Sequence, residues 1–229
     1  MSNRLRFEIE KLKKRLLSIS ALVEESVQQA VQAVQERDDT RAQSVIAADT
    51  EIDLREVDLE EECLKVLALY QPVASDLRFI VAVMKINNDL ERIGDLAVNI
   101  AERARYLAYH APAVSSFDLS TMAAITREML RKSLDALINL DAATAKEVLD
   151  LDARVDDINR QMYALVTEAM RKKSDLIETH MQFLSVSRYL ERIADHTTNI
   201  AEDVLYMLHG EIVRHQMGSN SVSGGPRLT

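Results

Sequence analysis

The segment that decides the fold occurs twice, first as Leu90-Glu-Arg-Ile-Gly-Asp-Leu-Ala-Val-Asn-Ile-Ala-Glu102 and again as Leu190-Glu-Arg-Ile-Ala-Asp-His-Thr-Thr-Asn-Ile-Ala-Glu202. Nine of the thirteen positions are identical at an offset of 100 residues. Packing in a helix would preserve only the apolar positions, whereas here Glu, Arg, Asp and Asn are repeated as well. The repeat therefore predicts two copies of one helical unit, and its polar residues indicate a shared role beyond folding.

The rest of the chain also favours helices. It contains only three Pro and five Gly in 229 residues, and Gly94 is the only glycine before Gly210. Strands and tight hairpins need more of both residues. Apolar residues recur at helical spacing between capping and breaking residues. This pattern predicts helices at about 5–35, 40–70, 75–109, 119–139, 142–173 and 175–209.

The loops between these helices are short, so consecutive helices must be antiparallel. The predicted fold is all-α, with two tandem antiparallel three-helix bundles at residues 1–110 and 118–210. A linker with Pro112 and Ser115 joins them. Residues 216–229 are mostly small and polar, and this composition predicts a disordered tail. We expect Ser75 and Asp76 to cap the third helix.

Composition also limits the partners and the cellular location. The net charge of -9 argues against nucleic acid and against anionic lipid, which both attract clustered Lys and Arg. No run of 18 apolar residues is present and the first residues are too charged for a signal sequence, so we expect a cytoplasmic protein. The single cysteine, Cys63, excludes an intramolecular disulfide and is expected to be an ordinary buried residue.

Pairs of acidic residues spaced four apart occur on the second and third helices of each half. Such spacing places both side chains on one side of a helix. If the two helices fold back about Pro72, and about Ser174 in the second half, the pairs come to the same height. The sequence therefore predicts one group of four carboxylates in each bundle. The candidate residues are Asp49, Asp53, Glu91 and Asp95, and then Asp152, Asp156, Glu191 and Asp195.

Four carboxylates at one level repel each other unless protons or cations neutralise them. Oxygen ligands without cysteine favour hard ions such as Mg, Ca, Mn or Fe. Asn99 and Asn199 could add an amide ligand, and His196 could be a ligand in the second half. An alternative explanation is a solvated charged face, in which Arg92 and Arg192 pair with the acids and no metal is needed. At this point both explanations stay open, and either places the acids on the outer surface.

The chain resembles the PhoU family of phosphate-transport regulators over residues 8 to 209. The resemblance rests on Leu69-Tyr-Gln-Pro-Val-Ala-Ser-Asp-Leu-Arg78, Asn88-Asp-Leu-Glu-Arg-Ile-Gly-Asp95 and Tyr189-Leu-Glu-Arg-Ile-Ala-Asp-His196. It implies surface metal clusters held by the eight acidic residues named above, with Fe, Mn, Mg or Zn as the bound divalent or trivalent metal ions. One departure is that the first of these motifs has no copy in the second half, where Arg171-Lys-Lys-Ser-Asp175 stands.

The resemblance also implies a function. Members are non-enzymatic cytosolic regulators that contact the ATPase subunit of the phosphate ABC transporter and restrain the sensor kinase of the phosphate regulon. We expect a homodimer that reaches the membrane only through these partners. The main alternative is a carboxylate-bridged metalloenzyme or a metal-handling protein. Helical-bundle enzymes of that type need inward-facing Glu-xx-His motifs, and the chain has none. The other alternative, a structural spacer, would not need repeated polar residues.

Overall fold

The computed structural model describes residues 3–110 and 119–209, and these ranges contain helices and no strands. The all-α prediction is therefore confirmed. None of the helices in these ranges is both long and apolar enough to cross a membrane. The helices are α1 Asn3–Glu36, α2 Asp39–Tyr70, α3 Ala74–Ala108, α4 Leu119–Asn139, α5 Ala142–Lys172 and α6 Ile177–His209, with a 3-10 turn at Ser174–Leu176 before α6.

Part of the domain prediction falls outside the described ranges. Both the linker with Pro112 and Ser115 and the tail at 216–229 lie outside the described residues. The limits 1–110 and 118–210 therefore stay predictions.

Aspartates begin the second helix of each bundle. The side chain of Asp38 accepts a hydrogen bond of 3.0 Å from the amide of Arg41. In the second bundle, Asp141 accepts one of 2.9 Å from the amide of Ala143. Each carboxylate satisfies an amide that the first helical turn leaves without a backbone partner. The breaks expected at these two places are confirmed.

The start of α3 differs from the prediction. Ser75 and Asp76 do not cap this helix, because Val73 occupies the cap position with an extended backbone and no side-chain hydrogen bond. Asp76 instead lies in the first turn, where its amide donates to the carbonyl oxygen of Val73 at 3.2 Å. The reason is local, since α2 ends in a left-handed Gln71 followed by Pro72, and Val73 after the proline is extended. The chain then enters the helix one residue earlier than expected.

Helices α1, α2 and α3 pack together, and α4, α5 and α6 form a second group of the same kind. An apolar stripe on α3 is buried over its full length and forms the centre of the first bundle. Its residues are Ile86, Leu90, Ile93, Ala97, Ile100, Ala104 and Leu107. Cys63 is also fully buried, as expected for a structural residue. The two tandem three-helix bundles are thus confirmed.

The bundles are joined mainly along α3 and α6, which run antiparallel to each other. We call this contact the seam. Near one end the hydroxyl of Tyr106 donates to Glu178 at 2.8 Å. Further along, Nδ1 of His196 lies 2.8 Å from Oδ1 of Asp89, a carboxylate that is nearly buried. The seam therefore combines apolar packing with specific polar pairs.

Gly94 allows α2 to lie close to α3. A β-carbon at this position would lie 3.3 Å from Oδ1 of Asp49 and 3.5 Å from Cγ2 of Ile52. A glycine inside a helix can mark either a close approach of a neighbouring helix or a position where any small residue is tolerated. The structure favours the close approach, because the space above the glycine is occupied by an acidic side chain of the neighbouring helix.

Candidate functional site

The candidate site is the pair of acidic groups between the second and third helices of each bundle. In the first bundle, α2 carries Asp49 and Asp53 while α3 carries Glu91 and Asp95. The structure brings all four close enough for their charges to act on one another. We call them the first acidic cluster. The second acidic cluster consists of Asp152, Asp156, Glu191 and Asp195, held in the same way by α5 and α6.

One aspartate in each cluster is strongly perturbed. Partial burial raises the pKa of Asp49 to about 6, and the charges of Asp53, Asp95 and Glu91 add to the effect. Asp152 is the corresponding residue of the second cluster. Its pKa is also raised to about 6, by burial first and then by the charges of the other three acids. Both causes disfavour the ionised form, so each cluster favours a proton or a cation.

The glutamates behave similarly. Burial raises the pKa of Glu91, and the charge of Asp95 adds to this. Burial likewise raises the pKa of Glu191, with the charge of Asp195 as the next cause. The clusters are nevertheless open to solvent at one side, because Asp53 and Asp195 are exposed. The expectation that the acids lie at the surface is confirmed.

Arginine neutralises part of the first cluster. Nε of Arg92 lies 3.2 Å from Glu91, and its Nη1 lies 3.1 Å from Asp95. This is the pairing that the solvated-face alternative requires. Arg92 is itself about half exposed, so the pairing is open to water and contributes little on its own. It leaves Asp49 and Asp53 without a cation from this arginine.

The side chains do not form a finished coordination shell. Within residues 3–110 and 119–209, no three His, Cys, Asp or Glu side chains are already close enough to hold one metal ion. The geometry therefore supplies a concentration of carboxylate oxygens at one place, and rotation of the Asp and Glu side chains would be needed to converge on an ion. The metal assignment of these eight residues stays a prediction.

Sequence reasoning missed a fifth acid beside the first cluster. Burial raises the pKa of Glu56, and the charges of Glu60 and Asp53 add to the effect. The amide of Asn87 on α3 donates to its carboxylate at 3.0 Å and to its backbone carbonyl at 2.9 Å. Asn159 stands at the matching place on α5 and accepts from the hydroxyl of Ser187 at 2.8 Å. The signal was available, because Glu56 follows Asp53 by three residues.

Three other candidates have different roles. The amide of Asn99 donates to the backbone carbonyl of Asp95 within α3, at 2.9 Å. Asn199 and His196 both turn to the seam, where their side chains meet Asp89 at 3.4 and 2.8 Å. None of the three directs its side chain at the carboxylates of a cluster in the described contacts. Helix spacing predicted the position of each of these residues along the helix axis. It did not predict the side of the helix on which the partner of each residue lies.

Comparison with known proteins identifies the family. A family model described as "PhoU domain" matches residues 16–104 and again 119–204. The two matches contain both acidic clusters and most of the six helices. The chain belongs to the PhoU family. Each bundle therefore corresponds to one PhoU domain, and the internal repeat in the sequence is the repeat of that domain.

Individual PhoU proteins are similar over nearly the whole chain. A phosphate-specific transport system accessory protein PhoU homolog of Aquifex aeolicus is 39% identical over 209 residues, covering 91% of this chain and 95% of the relative. The accessory protein PhoU of Serratia marcescens is 33% identical and covers 95% and 90%. A crystal structure of PhoU from Pseudomonas aeruginosa superposes with a TM-score of 0.87 at 34% identity, covering 90% of this chain and 99% of the other.

A second solved structure agrees with the first. The phosphate transport system regulatory protein PhoU of Streptococcus pneumoniae gives a TM-score of 0.82 at 30% identity, with 91% and 99% coverage. The agreement spans both PhoU domains, so the arrangement of the two bundles about the seam is shared with proteins of known structure.

Proposed function

We propose that this chain is a cytoplasmic accessory and regulatory protein of a phosphate-specific transport system. It acts through contacts with the ATPase subunit of the transporter and with the sensor kinase of the phosphate regulon, and it has no catalytic activity of its own. Membership of the PhoU family supports this role, as does the description of its relatives as accessory and regulatory proteins. It reaches the membrane only through these partners and works as a homodimer.

One observation carries this proposal further than the family name. The same four acidic residues stand at the same height in both PhoU domains, although the surrounding surface residues differ. An enzyme would place such residues around a substrate cavity, whereas these lie on the outside of two rigid bundles. A duplicated exposed charge pattern suits recognition by cations and by other proteins.

We further propose that each cluster binds a metal ion. The donor set fits a hard cation, since it consists of carboxylate oxygens whose protons are held more tightly than usual. Asp49, Asp53, Glu91 and Asp95 would hold the ion in the first PhoU domain. Asp152, Asp156, Glu191 and Asp195 would do so in the second. A bound ion would supply the positive charge that removes the repulsion between the paired helices.

The metal proposal is tested by thermal unfolding with and without ions. We expect Mn or Fe to raise the melting temperature and a chelator to lower it, because a ligand of the folded state stabilises by mass action. The variant Glu91→Gln with Asp95→Asn should lose half of the response and keep its helical circular dichroism. Glu191→Gln with Asp195→Asn is the matched change in the second domain. An unchanged melting temperature across all these conditions would remove the metal sites and leave the regulatory role in place.

The regulatory role is tested in cells that lack the gene. A reporter driven by the phosphate regulon should be active in phosphate-rich medium in the deletion strain and silent again when this chain is expressed. Expression of the variant Glu91→Gln with Asp95→Asn, or of the matched variant Glu191→Gln with Asp195→Asn, shows whether each acidic cluster is needed for that silencing. A reporter that responds to phosphate identically with and without the chain would exclude the proposed regulation.

A further inference from the structure

The outer side of α2 carries an apolar stripe that nothing in the described chain covers. Leu54, Val57 and Leu64 are 60%, 50% and 51% exposed and are separated by three and seven positions. This spacing places them on one side of a helix, opposite Leu59 and Val66, which are buried in the core. Together they form the α2 stripe. About half of each side-chain surface is left open by its own bundle.

The second PhoU domain shows that the fold does not need this stripe. Positions on α2 have counterparts on α5 that lie 103 residues later, and most buried positions correspond, for example Ile52 with Val155 and Leu59 with Met162. At the counterparts of the stripe the chain has polar residues instead. They are Asp157, Arg160 and Thr167. A bundle of the same kind therefore forms with polar residues at these three positions, and the apolar residues on α2 need a different explanation.

The stripe is bordered by acids. Glu61 lies within it, Asp53 and Glu60 follow one edge, and Asp58 follows the other. The cations beside the stripe are already paired, since Arg55 lies 2.6 Å from Glu51 and Lys65 lies 3.0 Å from Glu62 and 3.8 Å from Glu61. The surface is thus an apolar strip in a strongly negative border. A partner must offer apolar side chains at helical spacing and positive charge beside them.

We propose that the α2 stripe is the docking surface for an amphipathic α-helix with Lys or Arg along the edges of its apolar face, contributed by a different protein. The proposal rests on the proposed function, since it assigns a surface for one of its protein contacts. A second copy of this chain is a poorer occupant, because it would bring the same acidic border against the first and like charges repel. The polar counterpart surface on α5 does not bind such a helix.

Photo-crosslinking tests the proposal directly. A benzoylphenylalanine is placed singly at 54, 57 or 64 in the full chain, and at 157, 160 or 167 as the matched controls on α5. Each protein is mixed with the purified transporter ATPase subunit and, separately, with the kinase's cytoplasmic part. We expect crosslinks from the α2 positions only, to a helical segment with apolar residues three and four apart and Lys or Arg beside them.

Affinity measurements give an independent result. The variant Leu54→Asp, Val57→Arg, Leu64→Thr copies the second domain and should weaken binding of the crosslinked partner by at least about tenfold, the loss expected when apolar contacts are removed. The control Tyr163→Glu with Leu165→Glu alters exposed apolar residues of α5 and should not change affinity. Equal melting temperatures show that both variants fold. Binding to the unaltered chain should also weaken as salt increases.

Several results would overturn the proposal. Crosslinks from α2 to α2 of another copy would assign the stripe to a homodimer. Three other outcomes would each exclude the docking surface. They are equal crosslinking yields from the α2 and α5 positions, a crosslinked segment that is acidic or not helical, and the absence of any crosslink from α2. If the reporter in cells still responds to this chain in those cases, the proposed function survives and only the surface is wrong. If the reporter never responds, the regulatory role fails regardless of the crosslinks.

Discussion

Replacing Asp49 by Asn should stabilise the metal-free protein at neutral pH, although it removes a charged surface residue. The pKa of Asp49 in the folded chain is raised from 3.8 to about 6. When the pKa of a carboxyl group is higher in the folded than in the unfolded chain, the group favours folding fully at a pH below its unfolded-state pKa. This contribution to stability is lost as the pH rises through the folded-state pKa. Above pH 6 the ionised side chain therefore opposes folding, and Asn has no such charge.

The size of the effect follows from the same pKa. A shift of one pKa unit corresponds to about 1.4 kcal/mol, so the difference between the ordinary pKa of 3.8 and the folded-state pKa of about 6 corresponds to about 3 kcal/mol. Asp49 is only partly buried, so solvent screening reduces this, and we expect about 1 to 2 kcal/mol at pH 7.5. For a chain of this length that is an increase in melting temperature of about 2 to 8 °C. Near pH 4 the variant and the original chain should unfold together.

The assay is calorimetric or circular dichroism unfolding in chelator at pH 4.0, 5.0, 6.0 and 7.5. Asp152→Asn is the matched change in the second domain and should behave alike. Asp39→Asn is the control of opposite sign, because hydrogen bonds from Tyr109 and Arg105 lower the pKa of Asp39. Its replacement should destabilise the fold at pH 7.5. A lower melting temperature for Asp49→Asn at pH 7.5 would refute the reasoning.

Other predictions concern the seam and the close helix approach. His196→Leu should lower the free energy of unfolding by about 1 to 3 kcal/mol, because it removes the nearer of the two polar partners described for the nearly buried Asp89 and leaves Asn199 at 3.4 Å. The double variant His196→Leu with Asp89→Leu should recover part of this loss in urea unfolding. Lys85→Met should cost a similar amount, since the buried Asp203 loses a cation at 3.0 Å. Gly94→Ala should change the free energy of unfolding by less than about 1 kcal/mol, because the gain in helix propensity opposes the cost of a slight displacement of α2. Gly94→Val should unfold at a clearly lower urea concentration.

The fold was predictable because local signals agreed with each other. Helix limits came within about two residues of the prediction, as expected where caps and periodic apolar residues coincide. The predicted start of α3 was wrong. Val73, which follows Pro72 and is extended, occupies the cap position without a side-chain hydrogen bond, and the helix begins one residue earlier than predicted. Such a choice depends on backbone geometry that a list of capping residues does not contain.

The acidic clusters were predictable for a similar reason. Folding two helices back on each other fixes which residues share a height, and this placed Asp49 near the level of Asp95 and Asp53 near the level of Glu91, so that the four charges act on one another. The position along the helix axis did not predict the partners of His196 and Asn199, whose side chains lie in the seam. The relation between the two bundles depends on packing between distant segments, and the sequence pattern of one helix carries no information on it.

The differences between the two copies of the repeat explain how one helical unit serves two purposes. Residues that are identical in both copies, such as Glu91 with Glu191 and Asp95 with Asp195, lie in the acidic clusters. His196 replaces an apolar residue of the first copy and meets Asp89 across the seam. If position 196 were leucine, as Leu96 is in the first copy, the nearly buried Asp89 would lose this polar partner in the seam. Divergence at the seam therefore gives Asp89 a hydrogen-bonding partner, while identity in the clusters keeps two equivalent groups of acids.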